Sequence, residues 1–203
     1  MKLYNSIGPN PQVVRMFIQE LGIDLESVEV DLMAGENRQQ DHLSRNPSGQ
    51  MPTLELDNGE FISEITVICD YLDEQHGYTD LIGKTPEDRA ETRMWTRRID
   101  LQIVEPLTNG FRFSEGHDFF KDRLRLIPQA ADDLKTLAQE RITWLDGQIE
   151  GKEFICRDRF SLADIMLYCF LNFGTTVGQP LNEDNKNVVN LYNKIHTRPS
   201  ASA

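Results

Sequence analysis

Three short stretches of this chain carry residue types that can do chemistry. Ser6-Ile7-Gly8-Pro9-Asn10 offers a hydroxyl and an amide just ahead of Val14, Phe17, Ile18 and Leu21, an apolar stripe at helical spacing that Gly22 ends. The N-terminus of such a helix has unbonded N–H groups and a dipole that favour negative charge. Asn10 ahead of Pro11 also suits a helix cap, with Pro11 at the first helical position. Gln50-Met51-Pro52 leads into Leu54 and Leu56 on one face of a strand, and proline is tolerated at a strand's first position. Glu64-Ile65 opens a further helix, with Ser63 placed to cap it and Glu64 a favourable acid in its first turn.

The three cysteines, an odd number without metal-ligand spacing, read as reduced thiols in a cytosol-like compartment with no metal. Cys69 and Cys169 fall within helical apolar patterns and read as core, while Cys156 lies beside Arg157, a cation that could make it reactive.

These stretches need elements to hold them. Lys2 to Tyr4 and Val28 to Val30 read as strands flanking the first helix, and Gly35 to Arg45 as a polar segment with at most a short helix. Asp57-Asn58-Gly59 is strong hairpin chemistry, returning through Phe61-Ile62. Ile65, Ile68, Cys69 and Leu72 then mark a helix face, completing β-α-β-α-β-β-α. After a linker at 76–87 the pattern is all-helical. Arg89 to Glu105 runs to a stop at Pro106, with Leu101 and Val104 facing inward, and Pro128 opens a second long helix carrying Leu134, Leu137, Ala138, Ile142 and Leu145. Ser161-Leu-Ala-Asp164 is a capping box for a helix apolar on nearly every side from Ile165 to Phe173, and Val188, Leu191, Tyr192 and Ile195 mark a last amphipathic segment.

Bulk properties agree with two differently built halves. The chain has 203 residues, 39% hydrophobic, and a net charge of −12. Residues 1–80 hold four basic and fifteen acidic residues, a balance of −11, so nearly all the excess lies in the first half. This balance argues against nucleic acid or an anionic membrane as partner. No apolar run is long enough to span a bilayer, and the N-terminus lacks the apolar core of a signal peptide.

The wording N-P-x-G-Q-x-P-x-L, a D-N-G turn, E-x-x-x-I-x-x-Y-L, the S-x-x-D box and Arg198-Pro199-Ser200 closely resembles the cytosolic glutathione transferases, of a bacterial or yeast-type class with nu-like features in the first loop. The resemblance spans essentially the whole chain. It implies an α+β fold, with a thioredoxin-like glutathione-binding domain at 1–78 and an all-helical domain at 86–203. It also implies a cytoplasmic homodimer that uses glutathione as co-substrate and conjugates it to a small apolar electrophile. Glutathione-dependent reduction of disulfides or peroxides, and a non-catalytic glutathione-binding protein, are the alternatives.

By the same resemblance Pro52 is cis and the Met51 backbone meets the cysteinyl part of glutathione. Glu64 and the Ile65 N–H meet its γ-glutamyl end, and Asn37 and Gln50, with Arg38 nearby, its glycine carboxylate. Asn10 is the expected donor to the thiolate and Ser6 the alternative. The acceptor pocket is expected among Trp95, Arg98, Phe111, Phe113, Ser114 and His117, the last two as possible water-mediated assistants. Two departures stand out. Gly8 replaces a serine or threonine, and Ile65 replaces the serine that usually follows the acid.

Overall fold

The computed structural model describes residues 1–203. Its first half is a four-stranded mixed sheet in the order β2-β1-β3-β4. β1 (Lys2–Asn5) runs parallel to β2 (Glu26–Glu29) and antiparallel to β3 (Thr53–Glu55), and β3 pairs antiparallel with β4 (Phe61–Ser63). The register aligns Leu3, Leu54 and Ile62 across the sheet. That row packs on α1 (Pro9–Leu21) and α3 (Ile65–Gln75), whose Val13, Val14, Phe17, Ile68 and Leu72 are fully buried. Full burial of such side chains contributes about 1.5–3 kcal/mol each, which is why the helical periodicity was legible. On the opposite face Tyr4, Val30 and Met51 form a small separate cluster. A 3₁₀ turn and α2 (Gln40–Arg45) fill the polar segment.

The second half is helical: α4 (Pro86–Ile99), a π-helical turn (Asp100–Val104), α5 (Glu105–Phe113), α6 (His117–Phe120), α7 (Ala131–Gln148), α8 (Leu162–Thr176) and α9 (Lys186–His196). The β-α-β-α-β-β-α order and the helical second half match the sequence reading. α8 is buried from Leu162 to Leu171 and packs on both α4 and α1, so it joins the halves.

Some local expectations are corrected. Pro106 does not stop a helix. The Glu105 N–H bonds the Asp100 carbonyl five residues back, and this wider winding relieves the collision a proline ring makes with an ordinary helical turn. The helical path from α4 therefore continues to Phe113. Leu101 and Leu137 are exposed rather than inward. α1 begins at Pro9, not Pro11, and Ser63 ends β4 while Glu64 takes the N-cap position of α3. α7 begins at Ala131, after a 3₁₀ turn that Pro128 opens.

Two polar contacts pin this arrangement, the first inside the helical half and the second between the halves. The fully buried Asp164 carboxylate accepts from Ser161 N–H (2.9 Å), Ser161 Oγ (2.8 Å) and Ile155 N–H (2.9 Å). Burial pushes its pKa up to about 6, and the donors oppose that. At the other end Arg198 donates to Glu20 through Nε (2.8 Å) and Nη2 (2.7 Å), and Ser200 Oγ donates to the same carboxylate, fastening the C-terminal segment to α1. Burial raises the Glu20 pKa, but the Arg198 and Ser200 bonds outweigh it and hold the carboxyl below its ordinary range.

Each donor left without a partner in the interior costs about 1–3 kcal/mol, so Asp164→Ala should lose about 3–5 kcal/mol in urea unfolding. Glu20 has a depressed folded pKa, so its contribution is present above the unfolded value of 4.5 and is lost as pH falls through the folded one. The stability gap between wild type and Glu20→Gln should therefore be largest at neutral pH and shrink below about pH 4.5.

Candidate active site

The site begins with a loop that cannot move freely. Asn37 Nδ2 donates to the Gly49 carbonyl (2.6 Å), Asn46 Nδ2 donates to the Gln50 carbonyl (2.9 Å), and His42 Nε2 lies 3.2 Å from that same carbonyl. All three side chains are buried. Gly49 sits at φ 64°, where a Cβ would come within 3.1 Å of the Asn37 carbonyl, so the loop closes only on glycine. The loop delivers Met51 and the cis Pro52, and the β1–β3 ladder starts only at Thr53. The Met51 backbone is thus an edge to which an extended peptide can pair.

Beside that edge lies a cleft of about 230 Å³. Asn10, Gln50, Met51, Pro52, Glu64 and Ile65, six of the residues expected from the sequence, line it. Glu64 is held at φ 73° and is the N-cap of α3, so the N–H groups of Ile65 and Thr66 head that helix. Thr66 lines the cleft as well, one residue beyond the position where the usual serine is missing.

Asn10 is the second residue of α1 and does not cap it; Gly8, at φ 110°, is the N-cap. That left-handed backbone is the physical reason a serine or threonine is disfavoured at Gly8. Pro9 and Pro11 have no N–H, and Gln12 N–H already bonds the Gly8 carbonyl (3.2 Å). The Asn10 N–H and side-chain amide are what remains of this helix start to face an anion.

Other expected residues lie elsewhere. The buried Ser6 hydroxyl donates to the Val30 carbonyl (2.7 Å), tying the first loop to the end of β2, and Ser6 does not line the cleft. Asn37 is also buried outside the cleft lining, its Nδ2 holding Gly49. Trp95 is buried against Trp144 of α7 at 6.2 Å, with the Arg98 guanidinium 4.9 Å from its ring. Phe111 packs edge-on against Phe120 and Phe173, and Phe113 is buried. Ser114 Oγ donates to the Gly110 carbonyl (2.6 Å), and His117 lies 3.6 Å from Asp118. None of these six lines the cleft. Cys156 is buried too, and burial raises its thiol pKa, so it is not a reactive thiol.

The wall opposite Met51 comes instead from Asp100, Val104, Glu105, Thr108 and Arg112. Asp100, Val104, Thr108 and Arg112 are each four residues apart, a stripe on one helix face that a stop at Pro106 conceals. Burial raises the Asp100 pKa, Arg97 opposes it, and Glu105 and Glu64 add to it, so the Glu64 end of the cleft is acidic. The arrangement can hold an ammonium at that end, a peptide backbone at Met51, and an anion at Asn10.

A thioredoxin-like sheet whose peptide-pairing edge faces an all-helical half defines the class, and comparison with known proteins gives the family. The models for the glutathione S-transferase N-terminal and C-terminal domains match residues 1–74 and 125–199. The chain is 28% identical over 195 residues to glutathione S-transferase 2 of Saccharomyces cerevisiae, covering 95% of this chain and 84% of that protein. It is 30% identical over 189 residues to glutathione S-transferase F10 of Arabidopsis thaliana, covering 88% and 84%. The crystal structure of Gtt2 from Saccharomyces cerevisiae superposes with a TM-score of 0.93 at 27% identity, covering 100% of this chain and 99% of that one. The chain belongs to the glutathione S-transferase family and is a glutathione transferase.

Ser6→Ala removes a bond inside the scaffold and leaves the Val30 carbonyl without its donor. It should lower unfolding stability by about 1–3 kcal/mol. The pKa of bound glutathione should stay at its wild-type value, as read by thiolate absorbance.

Proposed function

We propose that this transferase binds reduced glutathione along the Met51 edge and conjugates its thiolate to a small electrophile entering from the α5 side. The observation that carries the reading is the meeting in one cleft of the Met51–Pro52 edge, Glu64 with the α3 N-terminus, and Asn10 at the α1 N-terminus. The ligand's ammonium pairs with Glu64, with Asp100 adding to the acidic end. Its α-carboxylate takes the N–H groups of Ile65 and Thr66. The Thr66 hydroxyl stands in for the serine missing at Ile65, worth about 1.5–3 kcal/mol as a bond to a charged group. Gln50 lies toward the glycine end.

Asn10 is the donor to sulfur, through its side-chain amide and N–H. The thiolate is the nucleophile, so holding it ionised is the chain's part in the reaction. Reduction of a disulfide or peroxide uses the same thiolate. Because all three cysteines are buried outside the cleft, that route runs through glutathione sulfur alone. A homodimer is part of this reading, supported by the exposed apolar side chains Phe61, Val67, Met94 and Leu101 on β4, α3, α4 and the π turn.

The test is a titration of bound glutathione by thiolate absorbance in wild type and Asn10→Ala, followed by acceptor and disulfide assays. Wild type should ionise the thiol well below its free value. Asn10→Ala should raise that pKa by about 1 or more, matching loss of a hydrogen bond of about 1.5–3 kcal/mol to a charged group. Identical titrations would remove Asn10 from the mechanism, and absence of glutathione binding would remove the reading.

A further inference from the structure

Arg112 is the one cation in the cleft wall, and its surroundings position it without neutralising it. Its Nη1 donates to Asn109 Oδ1 (3.1 Å). Asn109 Nδ2 in turn donates to Glu105 Oε1 (2.8 Å). Glu105 is the sole carboxylate found to act on the Arg112 charge, and a neutral amide stands between them. The Phe120 ring, 5.7 Å from the guanidinium carbon, backs the side chain. Burial depresses the Arg112 pKa, with Glu105 opposing. A guanidinium carries five N–H donors in a planar fork suited to a carboxylate, and a half-buried cation with no direct salt bridge is costly unless an anion arrives.

Position decides which anion. Asp100, near Glu64, marks the γ-glutamyl end of the cleft. Arg112 lies twelve residues further along the same helical path, roughly 18 Å at 1.5 Å per residue. An extended tripeptide spans about 10 Å, and the γ-linkage of glutathione adds roughly 3 Å, so glutathione anchored at Glu64 ends short of Arg112. The space beyond the thiol belongs to the electrophile.

We propose that Arg112 is a specificity residue that receives a carboxylate on the electrophile, so that this enzyme prefers anionic acceptors over the plain apolar ones its family resemblance implies. The inference rests on the glutathione reading above. Thr108, one turn earlier on the same wall, borders the same space.

The test measures binding of two product-like conjugates by calorimetry, S-benzylglutathione and S-(4-carboxybenzyl)glutathione, so it does not depend on turnover. Wild type should bind the carboxylated conjugate at least tenfold more tightly. In Arg112→Gln that ratio should collapse toward one, and Arg112→Lys should keep part of it, because a point charge remains but the fork is lost. A wild-type ratio near one, with both conjugates bound, overturns the proposal and leaves the glutathione reading standing. A ratio that survives in Arg112→Gln while the bound thiol pKa rises moves Arg112 to the sulfur and also overturns it. Failure of wild type to bind either conjugate or glutathione overturns both.

Discussion

The site depends on one restrained loop. Asn37, His42 and Asn46 bond the carbonyls of Gly49 and Gln50 from inside the protein, so the next peptide, Met51–Pro52, is delivered in a single place. Were these carbonyls open to solvent, the loop would cost backbone entropy of about 1–2 kcal/mol per residue each time a ligand ordered it. Because folding has already met that cost, a peptide reaching Met51 finds an edge fixed in advance. The rest of the first half serves this placement. β3 continues directly from the loop, the hairpin returns through β4, and β4 ends where Glu64 and α3 begin.

The second half contributes by closing the other wall, and it does so through an irregular turn. With the π winding at Asp100–Val104, one nearly continuous helical path presents both Asp100 and Arg112, twelve residues apart, to the cleft. α8 then holds that path against α1, since it packs on both α1 and α4. The Glu20–Arg198 pair fastens the C-terminal segment to the far end of α1, the helix whose second residue is Asn10. Charge along the cleft is therefore set by the relation between the halves.

What was legible in the sequence follows from which interactions leave a local trace. Helix faces such as Val14–Phe17–Leu21 and the Asp57-Asn58-Gly59 turn are read because burial and turn geometry act within a few residues. The loop wording at Asn46–Pro52 and the Glu64 position were legible through resemblance, and Asn46, Gln50, Met51, Pro52 and Glu64 line one cleft. The commitments of Ser6 and Asn37 were not. Each side chain is polar and sits where a ligand contact is plausible, but its partner, Val30 or Gly49, is 24 or 12 residues away. The helical wall of the cleft was illegible for a different reason. Treating Pro106 as a stop cut the i, i+4 series at its middle, so attention passed to the aromatics nearby. Those aromatics pack on one another and on α7, as Trp95 does on Trp144.

The departures at the first loop bear on how a thiolate can be stabilised here at all. A helix start normally offers several free N–H groups, but Pro9 and Pro11 remove two, and Gly8 offers no hydroxyl. The dipole at a helix N-terminus is worth about 0.3–1 kcal/mol, up to about 2 when partly buried. One amide hydrogen bond to a charged group adds about 1.5–3 kcal/mol. At 1.36 kcal/mol per tenfold, these together lower a thiol from about 8.5 to roughly 5–7, enough to ionise most of it at neutral pH. In the proposed reading, the N–H and side-chain amide of a single asparagine are enough to meet the requirement without a hydroxyl acid. The two prolines concentrate that requirement on Asn10, because no neighbouring donor is left in the first turn to share it.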